Sequence, residues 1–350
     1  MKIAIQKNSG SYWRQWHDEL LSRGIESCLE DVRTSSGYES ALSSDGVMWH
    51  INMRPSIQAS ASSLLSALES SSHKPVFPNY STRWHFDNKI SQSYLFKGLG
   101  INTPATHVFW AEEQAKEWVE TNRRYPIIAK LKRGASSSCV FKLDSKKDAL
   151  RYIQKMFSVN GMSRGNGSVK KSSYRAFRDY SRMMVLKLPR PVLEYFLRKR
   201  PALRDVWPNE RGYVYFQEYL PGNEFDTRVT VIGGRALAFR RFNRDKDFRA
   251  SGSGKIDYEM DSIDKRAIEL ALNISSTNRF QSMAYDFLID EDGKPSLVEI
   301  SYAYQSKAVF DCPGFWDPKL NWHEGHVLPE AAHVEDFIEQ IEEIGHMQLR

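Results

Sequence analysis

A parallel α/β lobe followed by two α+β subdomains is the fold class this sequence predicts, and three features carry the prediction. Short apolar strands alternate with amphipathic helices over about the first 80 residues, the pattern of a parallel sheet with crossover helices. Strand-forming runs then crowd together from Tyr213 to Ser301, joined at Gly233-Gly234 and Asp292-Gly293, pairs suited to tight hairpin turns. Between these two regions strand and helix patterns mix. A chain of 350 residues with 41% hydrophobic and 26% charged residues has the composition of an ordinary globular protein and the length for two or three lobes. The expected divisions are 1–83, 84–212 and 213–350.

Taken in order, residues 2–6 read as an apolar strand, 12–22 as an amphipathic helix closed by Gly24, and 25–32 and 46–51 as further strands, with a helix over 56–68. Asn8-Ser9-Gly10 stands where a G-x-G-x-x-G turn would follow the first strand, so no dinucleotide site is expected there. Residues 84–99 form a helix ending at Gly100, and 101–106 lead into a strand. A helix over 112–121 precedes the strand 126–131, and a small-residue loop from Gly134 to Ser138 leads to the strand 140–143. Residues 151–211 interrupt the pattern, with a Gly/Ser-rich loop over 161–173 and basic helices over 177–203 broken by Pro189, Pro191 and Pro201. Strands return at 213–220, 227–232 and 236–242; a helix over 262–274 and a final hairpin complete the sheet.

Charge is unevenly spread. The chain carries +6 overall, yet residues 151–211 hold 15 Lys/Arg against 4 Asp/Glu, so the remainder is net acidic. Tyr174, Phe177, Tyr180, Tyr195 and Phe196 interleave with these charges. An anionic acceptor, an anionic lipid surface, nucleic acid and a plain solvated helix face all fit this pattern. Cys28, Cys139 and Cys312 have neither disulfide nor zinc-ligand spacing, which suits a reducing cytosol. With no run of about 18 apolar residues and no secretion signal, a cytoplasmic protein without a membrane span is expected.

The final hairpin holds the clearest chemical signal. If Asp292-Gly293 is a two-residue turn, Glu291 pairs with Lys294, and counting back sets Asp286 opposite Glu299. Facing side chains in such a pair lie roughly 5 Å apart at Cβ. Two carboxylates there, among Phe287, Leu288, Leu297 and Val298, repel unless a cation lies between them or one is solvated at an edge. A divalent metal with oxygen ligands is the cation expected.

Over residues 84–305 the sequence resembles the ATP-grasp superfamily, most closely its ribosomal-protein glutamate-ligase-like and carboxylate–amine ligase branches. The residues that carry the resemblance are Asp87-Asn88-Lys89, Lys130, the Gly134–Ser138 loop, Gln217-Glu218-Tyr219-Leu220 with Gly222 and Glu224, Asp226-Thr227-Arg228, and the Asp286/Glu299 pair. The resemblance implies an N-terminal Rossmann-like lobe and two α+β subdomains clasping ATP. It also implies roles: Lys89 and Lys130 on phosphates, Ser136, Ser137 and Ser138 in a loop closing over them, and Gln217, Glu218, Tyr219 and Leu220 at the adenine. Glu224 would accept from the ribose and Asp226 would belong to the nucleotide site, with Asp286 and Glu299 as magnesium ligands. The family's usual Glu-x-Asn is here Glu299-Ile300-Ser301, so a serine hydroxyl stands at the third metal position.

The implied reaction phosphorylates a carboxylate with ATP and Mg2+, and an amine then attacks the acyl phosphate to form an amide. Arginine forks suit such anions. Arg228, Arg249 and Lys255, with Ser251 and Gly252 in a Ser-Gly-Ser-Gly turn, are the candidates, and of the adjacent Arg240 and Arg241 we expect Arg240 to join Arg228. Expected partners are small-molecule or glycan-linked carboxylates and amines, such as an amino acid and a sugar acid. The Trp322-to-His326 segment is expected to cover the cleft mouth or a subunit contact, so a homodimer stays open. A kinase acting on a hydroxyl, or a nucleotide-binding module without turnover, are the alternatives.

Overall fold

The structure, a computed structural model, describes residues 1–8, 12–134, 139–163, 207–244 and 254–348. In chain order its elements are β1 (Lys2–Gln6), α1 (Trp13–Ser22), β2 (Glu26–Glu30), α2 (Ser35–Ser43), β3 (Gly46–Met48), α3 (Pro55–Ser72), β4 (Val76–Phe77), α4 (Tyr80–Arg83), α5 (Lys89–Gly98), β5 (Thr106–Phe109), α6 (Glu112–Thr121), β6 (Ile127–Lys130), β7 (Val140–Leu143) and α7 (Lys146–Phe157). There follow β8 (Val214–Glu218), β9 (Phe225–Ile232), β10 (Arg235–Phe242), β11 (Ile256–Asp257), α8 (Lys265–Asn278), β12 (Ser282–Ile289), β13 (Pro295–Ser301), α9 (Ser306–Phe310), β14 (Gly314–Trp316), β15 (Trp322–Glu324) and α10 (Pro329–Gln348). They group into two compact units, one of residues 1–53, 57–106 and 217–350 and one of residues 54–56 and 107–216.

The first unit begins with a parallel sheet in the order β2-β1-β3-β4. Ile3, Ala4, Ile5, Val47 and Met48 are fully buried, as expected of strands covered on both faces. One face packs Ile3, Ile5 and Met48 against Trp16 and Leu20 of α1 and Val334 and Phe337 of α10. The i,i+4 spacing of Trp16 and Leu20 is the apolar stripe read from the sequence. Helix α2 was not expected, because its Ser-rich sequence lacks such a stripe. It is held at its start by Thr34, whose hydroxyl accepts from the Gly37 amide at 3.1 Å. Gly37 fits only without a side chain, since a Cβ there would lie 2.1 Å from the Asp31 carbonyl oxygen. Gly37→Ala is therefore expected to lower unfolding stability by about 1–3 kcal/mol in chemical denaturation; an unchanged midpoint would mean that α2 shifts without cost.

Helix α5 starts five residues later than the periodicity predicts. Asp87 has φ of 51°, a left-handed conformation that no right-handed helix contains, and the Asn88 side chain then caps the new helix by accepting from the Ser91 amide at 3.1 Å.

The second sheet of this unit runs β13-β12-β9-β10-β14-β15, with β11 on β10. Val229, Val231, Ala236, Ala238, Met283, Tyr285, Phe287 and Ile300 cover one face and share a core with Ile268, Ala271 and Leu272 of α8. The β12–β13 pairing does set Asp286 opposite Glu299, but by a different route from the one expected. The connection is a three-residue loop, in which the Gly293 amide bonds the Asp290 carbonyl and the Asp290 amide bonds the Lys294 carbonyl. Gly293, at φ 72°, takes the left-handed position this loop requires. Phe287 then faces Leu297, and a β-bulge between Asp286 and Phe287 returns the register.

In the second unit the sheet order is β5-β8-β6-β7, with α6 and α7 packed together. Trp118 stacks on Phe216 at 5.4 Å, and Ala149, Tyr152, Ile153 and Met156 form the buried stripe of α7. This helix was missed although Ser145 and Asp148 announce it: the Ser145 hydroxyl accepts from the Asp148 amide and donates to its carboxylate at 2.6 Å. Residues 151–157 of the basic segment therefore belong to an amphipathic helix, while 164–206 lie outside the described residues. No helix among the described residues is long and apolar enough to cross a membrane.

Candidate active site

The sheet face turned away from α8 carries a row of charges across four adjacent strands. Register pairs Asp286 with both Arg228 and Glu299, and Arg241 with Asp226, so side-chain alternation brings Asp226, Arg228, Arg241, Asp286 and Glu299 to one side. Ile232, Leu237, Phe239 and Ala284 continue this face as an apolar floor against Tyr304, Val309 and Cys312.

Asp286 is the centre of the row. Its Oδ1 accepts from Arg228 Nε at 2.7 Å, and its Oδ2 accepts from Arg228 Nη2 at 2.8 Å and lies 2.9 Å from Arg241 Nη2. Asp226 grips the same Arg241, accepting from Nε at 2.7 Å and Nη2 at 2.6 Å. Burial opposes ionisation of Asp286, but the charges and hydrogen bonds of Arg228 and Arg241 outweigh it and hold its carboxyl well below the usual range. For Asp226 burial prevails and the neighbouring Asp286 adds to it, so its pKa lies above the usual value despite Arg241. The Arg241 guanidinium, though buried, is held more firmly charged by Asp286 and Asp226.

Glu299 has its own cation. Lys89, buried at the start of α5, places Nζ 3.0 Å from Glu299 Oε1. One helical turn on, the buried Gln92 side chain donates to the Ile300 carbonyl at 2.8 Å and accepts from the Ile300 amide at 3.3 Å. This amide stands in for a neighbouring strand at the edge of β13 and fixes Lys89 against Glu299. Neither the Lys89–Glu299 contact nor Gln92 was read from the sequence.

Arg240 does not join Arg228, contrary to expectation. It pairs with Thr227 and Asp257 on the other face, where its Nε donates to Asp257 at 2.9 Å and its guanidinium lies 4.8 Å from the Phe225 ring. Strand parity decides between the two arginines, because Arg228 and Arg241 have the same parity relative to the Phe239–Arg228 pair.

The implied magnesium ligands do not form a metal site as placed. Both oxygens of Asp286 are engaged by guanidinium groups, Glu299 by Lys89, and the Ser301 hydroxyl donates to the Ala303 carbonyl at 2.8 Å. Magnesium needs near-octahedral oxygen coordination. Among the described residues no group of three or more His, Cys, Asp or Glu is arranged to hold a metal ion. The repulsion of two facing carboxylates is answered instead by three protein cations, Arg228, Arg241 and Lys89.

The hinge residues lie at the start of the C-terminal stretch of the first unit. The Gln217 side chain donates to Thr106 Oγ1 at 2.9 Å and the Glu218 amide to the Ala105 carbonyl at 2.8 Å, while Tyr219 and Leu220 follow the end of β8. Asn223, which sequence reading passed over, clamps this turn by donating to the Ile289 carbonyl at 2.9 Å and accepting from the Ile289 amide at 2.8 Å. The carbonyl of Glu224 accepts from the Asn243 amide at 2.8 Å, and the Lys255 carbonyl accepts from the Phe242 amide at 3.0 Å. In the second unit Lys130 is buried at the end of β6, and beyond it the Lys132 amide donates to the Tyr213 hydroxyl at 2.7 Å, which donates to Glu210 at 3.1 Å. Gly134 closes this loop root, where a Cβ would meet Cys139 Sγ at 2.8 Å. Ser136, Ser137, Ser138, Arg249, Ser251 and Gly252 lie outside the described residues.

The sequence matches no protein-family model and no curated protein. The fold, in contrast, is similar to solved structures over nearly its full length. A RimK-domain ATP-grasp protein from Sphaerobacter thermophilus aligns with a TM-score of 0.53 at 14% identity, covering 97% of this chain and 100% of that one. The D-alanine–D-alanine ligase of Bacillus anthracis gives 0.54 at 12%, covering 99% of each chain. The macrocyclase MdnC of Microcystis aeruginosa, bound with its precursor peptide MdnA, gives 0.57 at 12%, covering 97% of this chain and 100% of that one. The protein has the ATP-grasp fold, with its mixed helices, parallel four-stranded sheet and antiparallel strands.

Proposed function

We propose that the protein is an ATP-dependent ligase that activates a carboxylate as an acyl phosphate and joins it to an amine, releasing ADP and phosphate. The observation that carries this reading is the pair of aspartate-held arginines, Arg228 and Arg241, on a sheet face with Glu299 and Lys89. Similarity of fold to a D-alanine–D-alanine ligase and a D-cycloserine synthetase supports the same class of chemistry.

In this reading Lys89 is a point charge that meets the nucleotide phosphates, a role the sequence resemblance implies for Lys130 as well. Residues 217–220 present the adenine-binding backbone and Glu224 accepts from the ribose. An oxygen of the substrate carboxylate attacks the γ-phosphorus and ADP leaves. The arginines, fixed before substrate arrives, hold the resulting anion without reorganisation. The amine then attacks the acyl carbon, loses a proton and expels phosphate. No step is routed through magnesium, because the donor set described above does not fit a resident ion.

The test offers Mg-ATP with pools of amino acids, sugar acids and peptides and follows ADP release with hydroxylamine present. Hydroxamate formation that depends on the carboxylate pool is the expected result. A stable phosphate ester instead would replace the ligase with a kinase, and absence of ADP release from every pool would leave a binding module.

A further inference from the structure

We infer that Asp286 is a positioning residue rather than a metal ligand: with Asp226 it aligns Arg228 and Arg241 into a two-armed oxyanion clamp that binds phosphoryl groups without a metal ion. The inference concerns the site of the ligase reading and rests on it only for the identity of the natural ligand.

The geometry is that of a clamp held from behind. Each aspartate grips one arginine through the Nε/Nη2 edge of the guanidinium, Asp286 on Arg228 and Asp226 on Arg241. Asp286 then ties the two together through its contact with Arg241 Nη2 at 2.9 Å. The remaining donor of each fork, Nη1, is not used in these pairs, and Arg228 and Arg241 sit on adjacent strands of one face. Two forks oriented in this way suit a tetrahedral phosphoryl group, which accepts hydrogen bonds from several directions.

A metal ion at Asp286 would have to displace guanidinium groups from both carboxylate oxygens. It would also meet two positive charges that stay within the same few ångströms. Both effects oppose a dication, and neither opposes an anion carrying several negative oxygens. Glu299, whose side chain is 35% exposed, is already engaged by Lys89 through Oε1 and adds no second carboxylate free of a protein cation.

Pyrophosphate and Mn2+ separate the two assignments. Pyrophosphate is titrated calorimetrically into the full-length protein in buffer containing a metal chelator, and Mn2+ alone is titrated with free ion followed by electron paramagnetic resonance. The same titrations are run on Asp286→Asn and Arg241→Gln, with circular dichroism to confirm folding. We expect wild-type protein to bind pyrophosphate in the presence of chelator and to leave Mn2+ free in the absence of nucleotide. Arg241→Gln should bind pyrophosphate about tenfold or more weakly, the loss of one charge-assisted contact, and Asp286→Asn should also weaken binding because Arg228 and Arg241 lose the carboxylate that aligns them. Tight Mn2+ binding that disappears in Asp286→Asn, or pyrophosphate binding that requires metal, would overturn the assignment. Should both variants fail to fold, the two wild-type titrations still decide it. Failure of the carboxylate assay with the clamp intact would count against the ligase reading alone.

Discussion

Replacing Arg241 with leucine should lower the unfolding free energy by about 3–5 kcal/mol, because it leaves charged aspartates without their partner in a largely desolvated site. Arg241 is 9% exposed and serves two carboxylates, Asp226 and Asp286. Asp286 retains Arg228, but Asp226 loses its hydrogen-bonded fork. The pH dependence identifies the cause. In the wild-type protein the folded pKa of Asp286 lies below its ordinary value, so its stabilising contribution is full above about pH 4 and is lost as pH falls further. Asp226 is shifted the other way by burial, and removing Arg241 raises it further. A carboxyl that binds its proton more tightly folded than unfolded gains stability as pH falls. The deficit of Arg241→Leu should therefore narrow from pH 7 toward pH 4 in denaturant titrations. A deficit constant across that range would assign the loss to packing instead of charge.

Gln92→Leu should be nearly as costly for a different reason. The substitution keeps the volume and removes the amide that satisfies both backbone groups of Ile300 and accompanies the His85 carbonyl. Each buried backbone group left without a partner costs about 1–3 kcal/mol. The Ile300 amide should lose protection in hydrogen exchange well before the strands on the far side of β12. Because Lys89 lies one turn away on the same helix, its contact with Glu299 should loosen as well. Retained protection at Ile300 would show that β13 is held by other means.

How much of this was legible in the sequence differs from feature to feature. The parallel lobe was, because β1 and β3 are short apolar runs and α1 has a clean stripe at Trp16 and Leu20. The Asp286–Glu299 pair was also found, but through two offsetting differences: the turn is one residue longer than expected, and the bulge beside Asp286 absorbs the extra residue. Hairpin counting alone had no signal for that bulge. The choice between Arg240 and Arg241 was not legible, since a dipeptide of identical side chains has no asymmetry until β9 supplies a register. Partners distant in sequence were equally hidden. Lys89 meets Glu299 across 210 residues, and nothing local in either segment signals the contact. Helix α7 had a signal that was overlooked, in the Ser145-to-Asp148 capping box, and so did α10, which Pro329 opens and in which Val334, Phe337, Ile338 and Ile341 recur at helical spacing.

The packing of α10 onto the first lobe sets an order of events during synthesis. Val334 and Phe337 fill the same core as Ile3, Ile5, Trp16 and Met48, so this lobe lacks one wall until α10 has left the ribosome. Contacts of such sequence separation form late and leave apolar surface uncovered meanwhile. The nascent lobe must therefore wait, with Trp16 and Phe77 incompletely covered, for a helix translated some 300 residues later. A ribosome stalled before α10 would hold a chain prone to chaperone capture, however well its other elements had formed.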